Sequence, residues 1–451
     1  MHPTHPDRRR AQAAVWLLAA LCATATAAPQ PGPAPLDLPT VLELVTSESA
    51  TAAAAAADQA AAAAAVDRAR AGWWPSVDLA AQYTLRDHRI EAEAGTLTFP
   101  TAPQNNGQYA LEARELVWDG GRRSLAIEAA GKQAQTIRLG NRSALTSAQL
   151  AAAGAYLDAL ELAASRRVIE RRLDALSSHL KVARDLLDQG LTARNDVLET
   201  EVRVRAVENQ LAAVDDRQAT AAQDLNRRLG RDPATVLALP DSLATPPALP
   251  DHDALLAAAV TQNPGLQTVA SRLDQSRTNL ELARKAWYPS VFVGAAHAYV
   301  QNEYLVHQFI NSVVAGVTWN ILDGGTRKAD IRQAEARTAQ AARDRLEVER
   351  SVTVAVDDAW RRWEQARREL ATARIDVAAA RENLRIVEDQ YQQGLARSSD
   401  VLDAEALFAQ SQYDVVRRHY ATYRTQMQLL TAAGQDLVAF YRGTADSPRE
   451  D

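Results

Sequence analysis

The chain is 451 residues long, room for two or three ordinary domains, and carries a net charge of −6. That mild acidity, with no Lys/Arg-rich block after residue 10, excludes nucleic acid as the main partner. Abundant alanine, with charged residues at 24% and aromatics at only 5%, points to long helices rather than a compact α/β domain.

Residues 1–27 read as a secretory leader. Arg8, Arg9 and Arg10 form its positive region, Val15 to Cys22 its apolar region, and Ala25-Thr26-Ala27 a cleavage site. Three arginines and Asp7 leave with it, taking the net charge from −6 to −8. Cys22 is the only cysteine, and Leu21 stands where a lipoprotein signal would place a small residue. With ordinary cleavage the mature chain has no cysteine, so disulfides and thiol chemistry are excluded. Past the leader no apolar run reaches the length of a membrane-spanning helix, although tilted β-strands would leave a weaker signal.

The chain repeats itself. AGWWPSV at 71–77 returns as KAWYPSV at 285–291, 214 residues later. WDGGR at 118–122 returns as LDGGTR at 322–327, and LDQGLTARNDVLETE at 187–201 as YQQGLARSSDVLDAE at 391–405; these are offset by 204. The ten-residue difference lies between the Pro-Ser and Asp-Gly-Gly motifs, where an exposed loop absorbs it.

Each copy parses alike. A helix stops at Pro75 or Pro289. Alternation then puts Val77, Leu79, Ala81, Tyr83 and Leu85 on one strand face, and Val291, Val293, Ala295, His297 and Tyr299 on its counterpart. A turn region with Gly95, Pro100, Pro103 and Gly107 follows in the first copy. Returning strands are predicted near Tyr109 to Val117 and Asn311 to Ile321, giving β-hairpins 75–118 and 289–322. Asp-Gly-Gly ends each hairpin.

Arg122 to Gln189 and Thr326 to Gln393 contain no proline, and each stretch makes a rod of roughly 100 Å. Ile169, Leu173, Leu176, Leu180, Ala183 and Leu187 step by coiled-coil spacing, as do Ala373, Val377, Ala380, Leu384, Val387 and Tyr391. Gly190 and Gly394 interrupt the rods, with Asp196 and Asp400 as N-caps of the returning helices. The predicted organisation is a first repeat 28–230 with helical hairpin 122–230, and a proline-rich linker 231–252. A second repeat 253–433 follows with helical hairpin 326–433, and then a loosely held tail 434–451.

Four strands cannot close a barrel, and an open edge in lipid leaves backbone groups unpaired. Three copies pooling four strands each give a 12-stranded barrel. The expected fold is mainly α with transmembrane β: a trimeric barrel continued by a long helical coiled-coil tube.

The WWPSV and WYPSV motifs, the paired DGG motifs and the paired GL-x5-VL motifs resemble the TolC-type outer-membrane efflux family across essentially the whole mature chain. The resemblance implies a homotrimeric exit duct of a tripartite efflux pump or type I secretion system. It sits in the outer membrane of a Gram-negative bacterium, surrounded by outer-membrane lipid, and extends into the periplasm. It implies docking to a periplasmic adaptor and an inner-membrane transporter of RND, ABC or MFS type.

The resemblance also implies sites. Asp400 and Asp403, three apart on one helix face, match an acidic ring at the periplasmic entrance, where like charges attract cations. The plainer reading is that Asp400 caps its helix and Asp403 is a solvated charge. Asp196 and Glu199 are their first-copy counterparts. In the family the first-copy aspartate helps hold the entrance shut through a tyrosine and an arginine; Tyr391 matches the tyrosine, or is simply a coiled-coil core residue. The arginine position falls on Ala396. Arg397 and Arg194 are the candidates to stand in, although one residue turns a helical side chain by about 100°. The tips Gly190-Leu191-Thr192 and Gly394-Leu395-Ala396 match the adaptor contact, an exposed leucine favouring burial against a partner helix. The glycines also serve as helix C-caps, and the leucines could make only a local contact.

Trp73, Trp74, Trp287 and Tyr288 flank the strand starts, either as a membrane-interface belt or, on the preferred reading, as packing for the helix-to-barrel junction. His88, His297 and His307 lie in the hairpins, and no histidine pair has zinc-ligand spacing. No metal site, cofactor loop or catalytic constellation is legible, so an enzyme is not expected. A soluble periplasmic coiled-coil structural protein would explain the rods and the leader, but not two matched strand hairpins.

Overall fold

In the computed structural model, which describes residues 35–243 and 248–442, the duplication holds element by element. The expected leader, with Cys22 and its cleavage site, lies outside the described residues. The first copy runs α1 (Leu38–Ser47), α2 (Ala50–Ala71), β1 (Ser76–Leu85), β2 (Ile90–Ala94), β3 (Leu97–Ala102), β4 (Asn105–Trp118), α3 (Arg122–Asp188) and α4 (Arg194–Arg228). The second runs α5 (His252–Gln262), α6 (Pro264–Arg284), β5 (Ser290–Val300), β6 (Phe309–Thr318), α7 (Thr326–Gln392) and α8 (Ser398–Ala432), and α9 (Leu437–Arg442) follows. Helices α3 and α7 each have 67 residues, and α4 and α8 each have 35. Adding 204 to the bounds of the first pair gives those of the second.

The two hairpins join into one antiparallel sheet in the order β1-β4-β5-β6. Its register sets residues of all four strands side by side in rows. Val77, Ala113, Ala295 and Val313 stand side by side, then Leu79, Leu111, His297 and Asn311, then Ala81, Tyr109, Tyr299 and Phe309. The opposite face carries Asp78, Gln82, Gln108, Glu112 and Arg114. Because side chains alternate along a strand, the apolar wall is backed by a polar face across β1 and β4, while on β5 and β6 that face carries Phe292, Ala296, Ala298, Ile310 and Val314. The apolar wall is not covered: Leu79 is 71% and Val313 80% exposed. Both edges, β1 and β6, are open.

The ten extra residues of the first copy are exposed but not irregular. They form a separate two-stranded ribbon, β2 with β3, in which Pro100 opposes Glu91. Pro100 and Gly107 therefore sit in strands rather than turns. Asn302 Nδ2 donates to Thr101 O at 3.0 Å, tying the ribbon to the β5–β6 loop. The returning strands run longer or earlier than expected, Asn105–Trp118 and Phe309–Thr318.

At the other end of the sheet each Asp-Gly-Gly turn feeds a long helix. Asp119 accepts from Gly121 N (3.0 Å) and Arg123 N (2.8 Å); Asp323 accepts from Gly325 N (3.0 Å) and Arg327 N (3.1 Å). The arginine four residues on pairs with the aspartate and lies over a tryptophan, Arg123 over Trp73 at 4.1 Å and Arg327 over Trp287 at 4.2 Å. Stacked guanidinium and indole favour this desolvated corner. Trp73 and Trp287 thus pack the junction, while Trp74 remains 77% exposed. Tyr288 meets Trp118 edge-on.

The largest core lies where the upper helices meet. Tyr156, Leu157, Leu225, Leu229, Leu429 and Leu430 are buried with Leu42 of α1. Tyr156 Oη donates to Leu36 O at 2.9 Å. The described part of the tail, to Arg442, is held here rather than loose: Leu437 and Tyr441 of α9 are buried, and Arg442 pairs with Glu43. The apolar run Leu437 to Tyr441 after Gly434 suffices to dock one helical turn and a half. A second core, Ile169, Leu176, Leu180, Ala183, Val197, Val204 and Leu402, runs down the first helical hairpin and takes in α8. It uses the predicted coiled-coil positions of α3.

Candidate functional site

The free ends of the two helical hairpins gather most of the residues that the sequence singles out. Each long helix closes on a left-handed glycine, Gly190 at φ 72° and Gly394 at φ 74°. Leu191 N then reaches back to Leu186 O, and Leu395 N to Gln390 O, as in a Schellman cap. This cap pushes the leucines outward: Leu191 is 70% and Leu395 75% exposed. Thr192 turns the other way, its hydroxyl donating to Asp196 Oδ2 at 2.7 Å. Ala396 is half-buried.

The aspartates are not N-caps. Ala193 and Arg397 occupy those positions, neither with a side-chain acceptor. Asp400, at the third helical position, instead accepts from Arg397 N at 2.9 Å, the return half of a capping box. Asp196 takes Thr192 and Asn195 Nδ2 as donors, not an arginine. Neither Arg397 nor Arg194 forms an ion pair with it among the described residues.

Tyr391 is packed between the hairpins. Its ring lies 5.2 Å from that of His179, and its hydroxyl is buried beside Ser398 and Thr192. Burial, with Asp196 adding negative potential, pushes the phenol above its ordinary pKa. His179 Nε2 is 3.0 Å from Ser398 Oγ, linking α3 to the first turn of α8. Higher up, Arg172 Nε donates to Glu405 Oε2 at 3.1 Å, an ion pair almost wholly out of solvent.

Asp403 stays exposed, with Arg203 of α4 at 3.9 Å and Glu199 at 3.7 Å from the same guanidinium. The sequence reading missed Arg203, His179, Arg172 and Glu405. Only the Glu199–Arg203 spacing of four was a signal. The histidines of the hairpins make no cluster: His88 pairs with Asp87, His297 Nδ1 lies 2.7 Å from Asn311 Oδ1, and His307 is exposed. Among the described residues no group of His, Cys, Asp or Glu could hold a metal ion, and no helix is long and apolar enough to cross a membrane.

Comparison with known proteins fits this arrangement. The sequence profile for the outer membrane efflux protein family matches residues 41–231 and 255–435, one stretch per repeat. The chain belongs to this family. Outer membrane efflux protein BepC of Brucella suis biovar 1 is 25% identical over 351 residues, covering 74% of this chain and 73% of BepC. Protein CyaE of Bordetella pertussis is 29% identical over 220 residues, 44% of this chain and 46% of CyaE. The fold is that of VceC from Vibrio cholerae, with a TM-score of 0.72 at 18% identity, covering 88% of this chain and 96% of VceC. CusC gives 0.75 at 16% identity over 89% and 93%, and the open MtrE channel of Neisseria gonorrhoeae 0.72 at 17% over 88% and 89%.

The chain is therefore a duct for efflux across the outer membrane of a Gram-negative bacterium, reaching into the periplasm, and not an enzyme. The coiled-coil scaffold reading is set aside. Channels of this family are homotrimers that work with adaptor proteins and inner-membrane pumps.

Proposed function

We propose that three copies of this chain pool their four-stranded sheets into one closed 12-stranded wall, and that the helical hairpins extend it as a tube. The observation that carries this is the open sheet itself: an uncovered apolar face with two unpaired edges, stable in lipid only when each edge finds another. The polar face, with Asp78, Glu112 and Arg114, then lines the pore.

The hairpin ends form the periplasmic entrance. Leu191 and Leu395 dock the helical hairpin of an adaptor, and an inner-membrane transporter of RND, ABC or MFS type completes a tripartite pump. Type I secretion uses the same parts and is the other route such a duct serves. Asp400 and Asp403 ring the constriction, with Asp196 and Glu199 beside them. Tyr391, its hydroxyl buried beside Thr192, packs against the Thr192–Asp196 pair and with it latches the constriction, Thr192 taking the part expected of an arginine.

Fractionation tests the assembly. The protein should partition with the outer membrane and run as a trimer on gels that collapses to monomer on heating. A chain that stays monomeric and folded in detergent-free buffer would overturn it.

A further inference from the structure

The repeat makes it possible to compare two seams. Within one chain α8 lies on α3, and the residues along this seam are shielded. Leu402 is 2% and Ser398 2% exposed, Glu405 meets Arg172, and His179 meets Ser398. Subtracting 204 from the α8 residues gives Leu198, Arg194 and Glu201 on α4; adding it to Arg172 and His179 gives Asp376 and Asn383 on α7. These counterparts have no such cover. Leu198 is 50% exposed, and Arg194, Asp376 and Asn383 are exposed. Val202 beside Leu198 is 66% and Ile375 beside Asp376 71% exposed. Leu198 and Val202 on α4 and Ile375 on α7 therefore stand open, in the register in which α8 and α3 are already joined.

A head-to-tail ring fills such a seam with the next copy. In the trimeric reading above, that places α7 of one copy on α4 of the next in the α3–α8 register, and we infer that Asp376 makes this between-copy joint the one that parts when the tube opens. The inference rests on the trimeric reading above. Its chemistry follows from one exchange. Where the within-chain seam sets the Arg172 guanidinium against Glu405, the between-copy seam sets the Asp376 carboxylate against Glu201. Glu201 already has its cation, Arg184 at 2.7 Å, inside its own hairpin. The counterpart of Arg184 is Glu388, so Glu405 has no such partner at home and bonds across the seam instead. One seam is thus pinned by an ion pair, and the other meets like charges, which repel at this spacing.

Cys22 is the only native cysteine and lies in the leader region, so introduced pairs report cleanly. Arg194→Cys with Asn383→Cys, treated with a short bis-methanethiosulfonate in outer-membrane vesicles, should give a covalent dimer and trimer ladder on denaturing gels. His179→Cys with Ser398→Cys should close within one chain and stay at monomer mass. An intact native trimer without the ladder overturns the seam while leaving the trimer standing. Absence of any oligomer overturns the trimeric reading, and the seam with it.

Asp376→Arg then tests the charge. It should lower open probability in planar bilayers by about fivefold relative to Asp376→Asn, the size of a modest ion pair. Adding Glu201→Arg should restore opening. Equal opening of Asp376→Arg and Asp376→Asn would overturn the role of Asp376.

Discussion

The imidazole of His179 and the hydroxyl of Ser398, 219 residues apart in sequence, meet at 3.0 Å where the tip of the second hairpin rests on the first. Burial holds the His179 pKa below its ordinary value. The joined state therefore binds fewer protons at this site than the parted state. Its contribution to holding α8 on α3 is complete above the ordinary histidine pKa of about 6.5 and is lost as pH falls through it to the depressed value. The groups facing it are Tyr391 of α7, Ser398 of α8 and, through Tyr391, Asp196. Glu405, two turns along α8, is raised by burial and works in the opposite sense, since joining favours its protonated form. The temperature at which the purified protein loses helicity, compared between wild type and His179→Gln, isolates the histidine: from about pH 7.5 to about 5 the wild type should lose stability more steeply. Parallel profiles would remove the role.

The Asp-Gly-Gly-x-Arg corners should decide whether the sheet seats on the helices. Arg123 is 10% exposed in its side chain and faces Asp119, Glu115 and Trp73. Arg123→Ala leaves two shielded carboxylates without their cation, a loss of about 3 kcal/mol. The gel trimer should dissociate at a lower temperature than wild type, and Arg123→Lys should recover only part of the difference because it cannot stack as a plane.

Two counterpart glycines should respond unequally to alanine. Gly120, at φ 70°, would place a Cβ 2.5 Å from Cβ of Tyr288, whereas Gly324, at φ 64°, has nothing within 4 Å. Gly324→Ala meets backbone strain alone, about 1 kcal/mol. Gly120→Ala adds a collision between the two repeats. The amount of assembled trimer in outer membranes should fall much further for Gly120→Ala.

At the entrance, Asp400→Ala with Asp403→Ala should weaken block of the current by polyvalent cations by about tenfold, since a ring of carboxylates sets the local potential. Arg203→Gln should act in the opposite direction, releasing Asp403 and Glu199 from a shared cation. Unchanged block in both variants would detach these residues from the conduction path.

Leu191→Asp and Leu395→Asp should weaken adaptor binding by about tenfold each, the worth of one leucine left in water. Co-purification of the co-expressed adaptor reads this out. The trimer itself should be unaffected, because both leucines lie at the hairpin tips, past the last turns of α3 and α7 and outside the seams between helices.

The long helices and strand faces were legible because the duplication turned weak motifs into a register: each uncertain boundary could be read twice. What failed to show were features without a counterpart. Arg203 has Leu407 as its mate, and Arg172 has Asp376, so repetition gave them no emphasis. The ribbon was hidden by Pro100 and Pro103, which read as loop, and its existence depends on pairing with itself rather than with the main sheet. Asp196 and Asp400 were given the cap because their type suits it, yet the cap fell three residues earlier, on Ala193 and Arg397. There the backbone turn is set by Gly190 and Gly394 upstream. Contacts between hairpins, such as Arg172 with Glu405, follow from packing that no local pattern encodes.

Because β2 and β3 hydrogen-bond to one another and not to the four-stranded sheet, the stretch between Arg86 and Gln104 can be exchanged without breaking any rung of the wall. It leaves the sheet at the end opposite the helices and so faces the medium around the cell. A foreign peptide spliced at Gly95, on the ribbon's turn, becomes a tag that antibodies can reach on living, unbroken bacteria.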